Sequence, residues 1–230
     1  MKGTLPACTV VVVGTGTEVG KTWVSAALLE ACRAEGLTVV ARKPAQSFEP
    51  GSGPTDAEIL GSATGEDPHV VCLPHRWYPV PYAPPMAADL LEMPAFTVRN
   101  LLDEIDFPAV QAGLGIIEMA GGVASPIAHF AGTGQMDFVE SVGPDRIVLV
   151  ADAGLGTISA VLTALDWIRS HVQSVRDQKT KCVVALNRFD SAVDLHQRNA
   201  TWLADVGVSL VRTTRDPIES GHNLYRHVLG

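Results

Sequence analysis

The sequence predicts an α/β fold, a mostly parallel sheet with helices on both faces. Three observations carry this. Short β-rich apolar runs alternate along the chain with stretches of helical spacing, the order that builds crossover units. The first apolar run ends in a glycine-rich turn that opens directly into a helix, "TVVVVGTGTEVGKTWVSAALLEA" from residue 9. The 230 residues are 47% hydrophobic and 18% charged, enough for one large core, so a single domain over residues 1–230 is expected.

Taken in order, residues 9–13 read as a strand and residues 21–35 as a helix, which Gly36 ends. Residues 38–43 read as a second strand that Pro44 stops. Later strands are expected at 115–118 ("GIIE"), 146–152 ("RIVLVAD"), 182–187 ("CVVALN") and 208–211. Helical spacing falls at 56–64, 98–105, 157–171 and 196–206. Residues 68–94 hold seven prolines among Trp77, Tyr78 and Tyr82 and show neither period, so they read as a long surface excursion.

Composition narrows the function. A net charge of −8 argues against broad binding to nucleic acid or to an anionic membrane, while leaving room for a local phosphate site. Cys8, Cys32, Cys72 and Cys182 form no CxxC pair and read as reduced core thiols of a cytoplasmic protein. No signal peptide is expected, and no apolar run approaches the roughly 20 residues of a membrane span.

In parallel sheets ligands sit beyond the carboxyl ends of the strands, so the chemistry is sought there. Strand, glycine-rich turn, Gly20-Lys21-Thr22 and helix form the setting of a phosphate loop, with backbone N–H groups and a helix N-terminus facing an anion. Lys21 would reach terminal phosphates and Thr22 would ligate magnesium. The spacing is irregular: the usual loop has four residues between its first glycine and Gly-Lys, and counting back lands on Thr15, one past Gly14. Four further strand-end groups each carry two readings. Lys43 is a solvated strand-end lysine or a cation over the phosphate loop. Asp56 stabilises a helix dipole or takes part in the site. Glu118, ahead of Gly121-Gly122, is a strand-to-loop glutamate or an acid holding magnesium. "DAGLGTISAV" after residue 151 is a capped helix or an anion site.

Together these pieces resemble dethiobiotin synthetase, a family whose phosphate loop has the form GTxTxVGKT. "GTGTEVGKT" beginning at Gly14 is that variant, with five residues between the glycines. The family's KP motif and following serine are matched by Lys43, Pro44 and Ser47, and its aspartate by Asp56. Its EGAGG motif is matched imperfectly by Glu118-Met119-Ala120-Gly121-Gly122, its later glycine-rich turn by "GLGTIS", and its strand-end asparagine by Asn187. The match runs in order over residues 10–187.

The resemblance implies a P-loop NTPase-like three-layer sandwich acting as a homodimer. The implied enzyme is an ATP-dependent cyclo-ligase that closes a ureido ring on 7,8-diaminopelargonate with carbon dioxide, ATP and Mg2+. Gly16, Thr17, Glu18, Val19, Gly20, Lys21 and Thr22 would hold the nucleotide phosphates, and Asn187 would contact the adenine. Thr22, Asp56 and Glu118 would hold magnesium. Lys21 and Lys43 would neutralise carbamate and phosphate charge, with Thr17, Glu18 and Ser47 near the reacting groups. Gly121 and Gly122 would admit the substrate closely, and Gly156, Thr157 and Ser159 of the partner subunit would receive its distant carboxylate.

Three departures stand out. Met119 replaces a glycine, which predicts crowding of the diamine or a shift of Glu118. Ser159 replaces an asparagine. After the last strand the chain reads "LVRTTRDPIESG", with Arg212 and Arg215 and no family pattern around the base. They leave two further readings: a diverged P-loop enzyme using ATP on another amine or carboxylate, and a nucleotide-switched partitioning-type ATPase.

Overall fold

The computed structural model describes residues 1–130, 132 and 134–230. In chain order the elements are β1 (Cys8–Gly14), α1 (Lys21–Ala34), β2 (Val39–Arg42), β3 (Gln46–Ser47), α2 (Asp56–Thr64), α3 (Pro68–Val71), β4 (Trp77–Tyr78), α4 (Pro84–Leu90) and α5 (Val98–Glu104). They continue with β5 (Leu114–Glu118), α6 (Met136–Val142), β6 (Arg146–Asp152), α7 (Thr157–His171), α8 (Gln173–Arg176), β7 (Lys181–Asn187), α9 (Asp194–Asp205), β8 (Leu210–Arg212) and α10 (Pro217–Leu229).

Six strands form one parallel sheet in the order β2-β5-β1-β6-β7-β8. The β1 run is apolar without alternation because both faces are covered. Val11 and Val13 enter one core with α5, α6, α7 and α9, while Val10 and Val12 enter the other with α1, α2 and α10. From β1 the chain crosses to β2 on one side, and from β5 it passes β1 to reach β6 on the other, a reversal that opens a crevice at the carboxyl end of β1.

Outside residues 68–94, three helices were not legible from spacing: α6, α8 and α10. α6 is short. α10 has Gly221 in mid-helix, which reads as a breaker, yet a Cβ there would lie 2.5 Å from the Ala27 carbonyl oxygen. The glycine is the contact that lets α10 lie against α1.

Residues 68–94 are not the structureless surface excursion expected. They carry α3, a 3-10 turn over Pro74–Arg76, β4 and α4, and they bury Val71, Cys72, Tyr78, Ala87 and Ala88. Pro68, Pro74 and Pro84 open helical turns, where a missing N–H costs nothing, so the prolines punctuate instead of breaking. Arg76 anchors the segment: its guanidinium makes two bonds of 2.8 and 2.7 Å to Glu104 and lies 4.1 Å from the Phe96 ring centre. The segment braces its neighbours in turn. The Lys43 N–H donates to Val71 at 2.7 Å, β4 pairs in parallel with β3, and the Phe48 N–H donates to Tyr78 at 3.0 Å.

Met119 also departs from expectation. It is fully buried and packs with Val11, Val13 and Ile117. The period of two along β5 sends residues 117 and 119 to the face opposite Glu118, so Met119 cannot crowd a ligand beside that acid. Met119→Gly is therefore expected to open a core cavity and cost about 3–5 kcal/mol in urea unfolding, with no rise in turnover. Unchanged stability with faster turnover would restore the crowding idea.

Candidate active site

The loop from Gly14 to Thr22 is held from several sides. Glu18 and Gly20 both adopt positive φ, 59° and 92°. A Cβ at Gly20 would fall 2.0 Å from the Asn187 amide nitrogen, so that close approach requires glycine. Asn187 donates to the Val19 carbonyl at 2.9 Å and accepts from the Thr213 hydroxyl at 3.1 Å. Asn187 is 97% buried and ties the phosphate loop to the segment after β8. Arg188, also at positive φ, donates to the Glu18 carbonyl at 2.7 Å and to Asp152 at 3.0 Å. On the other side the Val123 N–H donates to the Gly14 carbonyl, and a Cβ at Gly122 would come within 3.2 Å of the Thr15 carbonyl oxygen.

α1 begins at Lys21 with no side-chain cap, which leaves its first N–H groups directed at the loop. α2, by contrast, carries a full capping box from Thr55 and Glu58. Thr55 does the capping, so the Asp56 carboxylate is free to serve the crevice.

The strand-end groups converge. The Lys43 ammonium sits 2.6 Å from Asp56 Oδ2 and 2.8 Å from Glu118 Oε1. The Thr22 hydroxyl stands 2.7 Å from Asp56 Oδ1 and 2.8 Å from Glu118 Oε1, and Ser25 donates to Glu118 Oε2 at 2.8 Å. Lys43 and Glu118 are both buried. The Lys21 ammonium donates to the Gly16 carbonyl at 2.9 Å. Burial opposes the charge on Lys43, but Asp56 and then Glu118 outweigh it and hold the amine above the usual lysine range. Burial likewise opposes ionisation of Asp56, and Lys43 overrides it, keeping the carboxyl below its usual range. Lys21 goes the other way: burial first, then the neighbouring Lys43 ammonium, pushes its pKa down to about 8.

Lys21, Thr22, Lys43 and Asp56 open onto a cleft of about 670 Å³, with Glu118 and Ser25 buried beneath them. Thr17, Glu18, Gly20, Lys21 and Thr22 line it from the loop; Lys43, Ser47, Asp56 and Gly121 line it from the strand ends. Gly16 and Val19 belong to the loop without lining the cleft, and Gly122 packs against the backbone of Thr15 and Gly16. Gly156, Thr157 and Ser159 do not reach this cleft; they open α7, with Ser159 exposed and Thr157 buried. Two carboxylates and a hydroxyl, already gathered around an ammonium, are the donor chemistry of a hard divalent cation, so Thr22, Asp56 and Glu118 fit magnesium. Sequence reasoning missed Ser25, one helical turn after Thr22, and Arg188, whose partners are remote in sequence. It also missed Gln135, which donates to the Ala120 carbonyl at 2.7 Å and to Gly122 and so fixes the turn after β5.

A family model described as an AAA domain matches residues 8–207. Among curated proteins the chain is 39% identical over 169 residues to the ATP-dependent dethiobiotin synthetase of Caulobacter vibrioides strain NA1000 / CB15N, covering 71% of this chain and 75% of that one. It is 34% identical over 160 residues to the enzyme of the same name from Anaeromyxobacter sp. strain Fw109-5, covering 69% and 70%. Among solved structures it resembles a cobyrinic acid a,c-diamide synthase from Mycobacterium smegmatis with bound ADP and magnesium. That likeness has a TM-score of 0.57 at 15% identity and covers 96% of this chain and 93% of that one. A putative plasmid partition protein from Borrelia burgdorferi B31 gives 0.60 at 10% identity, covering 98% and 99%. The structural likenesses establish the P-loop sandwich; with the sequence relatives and the family model, they place the chain in the AAA domain family and in the ATP-dependent dethiobiotin synthetase family.

Proposed function

We propose that this chain is an ATP-dependent cyclo-ligase that forms dethiobiotin from 7,8-diaminopelargonate and carbon dioxide. The observation that carries the reading is Lys43, buried between Asp56 and Glu118 beside Lys21 and the mouth of the phosphate loop. One substrate amine takes up carbon dioxide as a carbamate and releases a proton. A carbamate oxygen attacks the γ-phosphorus of ATP, and ADP leaves. The second amine attacks the resulting carbamic–phosphoric anhydride at carbon, expelling inorganic phosphate and closing the ring.

The protein's contribution is positioning and charge neutralisation. Lys21 and the uncapped start of α1 receive the phosphates. Lys43 meets the negative charge shared by carbamate and phosphoryl oxygens. Thr17, Glu18 and Ser47 orient the reacting groups; the Ser47 hydroxyl is buried without a partner, which suits a ligand contact. Thr22, Asp56 and Glu118 would hold Mg2+, which supplies charge neutralisation at the phosphates. The substrate's far carboxylate would lie at Gly156, Thr157 and Ser159 of a second copy in a homodimer. The exposed Leu155 and the unpartnered Thr157 hydroxyl support that use of the α7 start. The protein would work in the cytoplasm; among the described residues no helix is long and apolar enough to cross a membrane.

The direct test is release of ADP with diaminopelargonate, bicarbonate and Mg·ATP. Release that does not depend on the diamine would sink the reading. Lys43→Met is expected to lower kcat by about 100-fold or more while nucleotide binding survives, because its charge matters most where the transferring group is most negative.

The depressed pKa of Lys21 gives a pH signature. In the free protein Lys21 is half-deprotonated near pH 8. Triphosphate binding favours the ammonium, so the complex takes up a proton above that pH. Nucleotide affinity should be flat below about pH 7 and fall as pH rises beyond the free-enzyme pKa of about 8. Calorimetric titrations in buffers of different ionisation enthalpy read the proton directly. Lys21→Gln should weaken nucleotide binding and abolish the uptake; uptake that persists in that variant would assign the titration elsewhere.

A further inference from the structure

We propose that Gln46 is a further binding residue of this cleft, its side-chain amide donating to an oxyanion of the acceptor or of the transferred phosphoryl group; the proposal rests on the functional reading above. Gln46 lies on β3, is 1% exposed and lines the cleft. Its Oε1 accepts from the Ala57 N–H at 2.9 Å, in the first turn of α2 beside Asp56. That contact fixes the orientation of the amide, since an N–H must face the oxygen. The other arm is therefore the NH2 group, and Nε2 is buried with no hydrogen-bond partner. The Ser47 hydroxyl, next in sequence and lining the same cleft, is buried and unpartnered as well.

Buried donors are almost always satisfied, and two unpartnered ones on adjacent residues that line a cleft are matched to something that enters it. The entering group must accept hydrogen bonds, and the Lys43 ammonium that lines the same cleft favours an anion there. Gln46 belongs to the part of the lining supplied by β3 and the 81–84 turn, not to the part supplied by the phosphate loop. Its ligand is thus an oxyanion at the reacting end: a carbamate, or the phosphoryl group in transfer. The pairing of β3 with β4 holds the residue in register, Gln46 opposite Trp77.

Gln46→Glu keeps an oxygen for Ala57 and removes the donor. One arm measures the KM for diaminopelargonate in bicarbonate; the other measures binding of inorganic phosphate to the Mg·ADP complex. A weakening of about tenfold or more is expected in at least one arm, with ATP affinity unchanged within about twofold. The arm that weakens identifies the oxyanion as carbamate or phosphoryl. Wild-type values in both arms would overturn the proposal. So would parallel losses in ATP affinity and magnesium requirement, because Gln46 would then act only through Asp56. Gln46→Met, which keeps volume without the donor, repeats the measurement if the glutamate variant does not fold. Wild-type protein silent with the diamine overturns the functional reading alone, and the phosphate arm then decides on Gln46.

Discussion

The Lys43 ammonium, enclosed by Asp56 and Glu118, is the contact on which the rest of the site depends. A buried charge persists only when partners surround it, and removing one partner strands the others. Here the partners come from separate elements: Lys43 follows β2, Glu118 ends β5, Asp56 starts α2, and Thr22 and Ser25 lie on α1. The sheet order sets β2, β5 and β1 side by side and so brings three of these elements to one edge. The capping box on α2 delivers the fourth, because Thr55 takes the cap and leaves Asp56 its own carboxylate.

The phosphate loop is made rigid from outside itself. Asn187 and Arg188 hold Val19 and Glu18 from the end of β7, and the Gly121-Gly122 turn closes in from β5, itself fixed by Gln135. A loop fixed in this way loses little freedom when an anion arrives. The two lysines are not equivalent. Lys43 has carboxylates and stays charged; Lys21 has a carbonyl and a like-charged neighbour, and it gives up its proton more readily. The site therefore contains one firmly held cation and one that keeps its proton less tightly.

Much of this was legible in the sequence for a physical reason. Strand ends, glycines and Gly-Lys-Thr are local signals, so the loop, Lys43, Asp56 and Glu118 could be placed before any contact was known. What escaped depends on contacts remote in sequence. The bonds from Asn187 to Val19 and Thr213 join residues far apart in the chain. Arg188 and Gln135 have no local pattern that announces their carbonyl partners. Gln46 sits between the motif residues Lys43 and Ser47 and was passed over because its open amide is visible only once Ala57 has claimed the oxygen. Met119 was misjudged by motif position, although the alternation of β5 carried one step further would have turned it into the core.

The segment holding β4 is usually the sort of connection in which homologous chains vary most. Its hydrogen bonds to the Lys43 and Phe48 amides and the Arg76–Glu104 pair remove that freedom. A nick by a protease, or a residue inserted between α3 and β4, would reach Lys43 within a few bonds. Substitution in this stretch is therefore expected to be tolerated at side chains that face water, and a change of length to be felt at the strand end that presents Lys43.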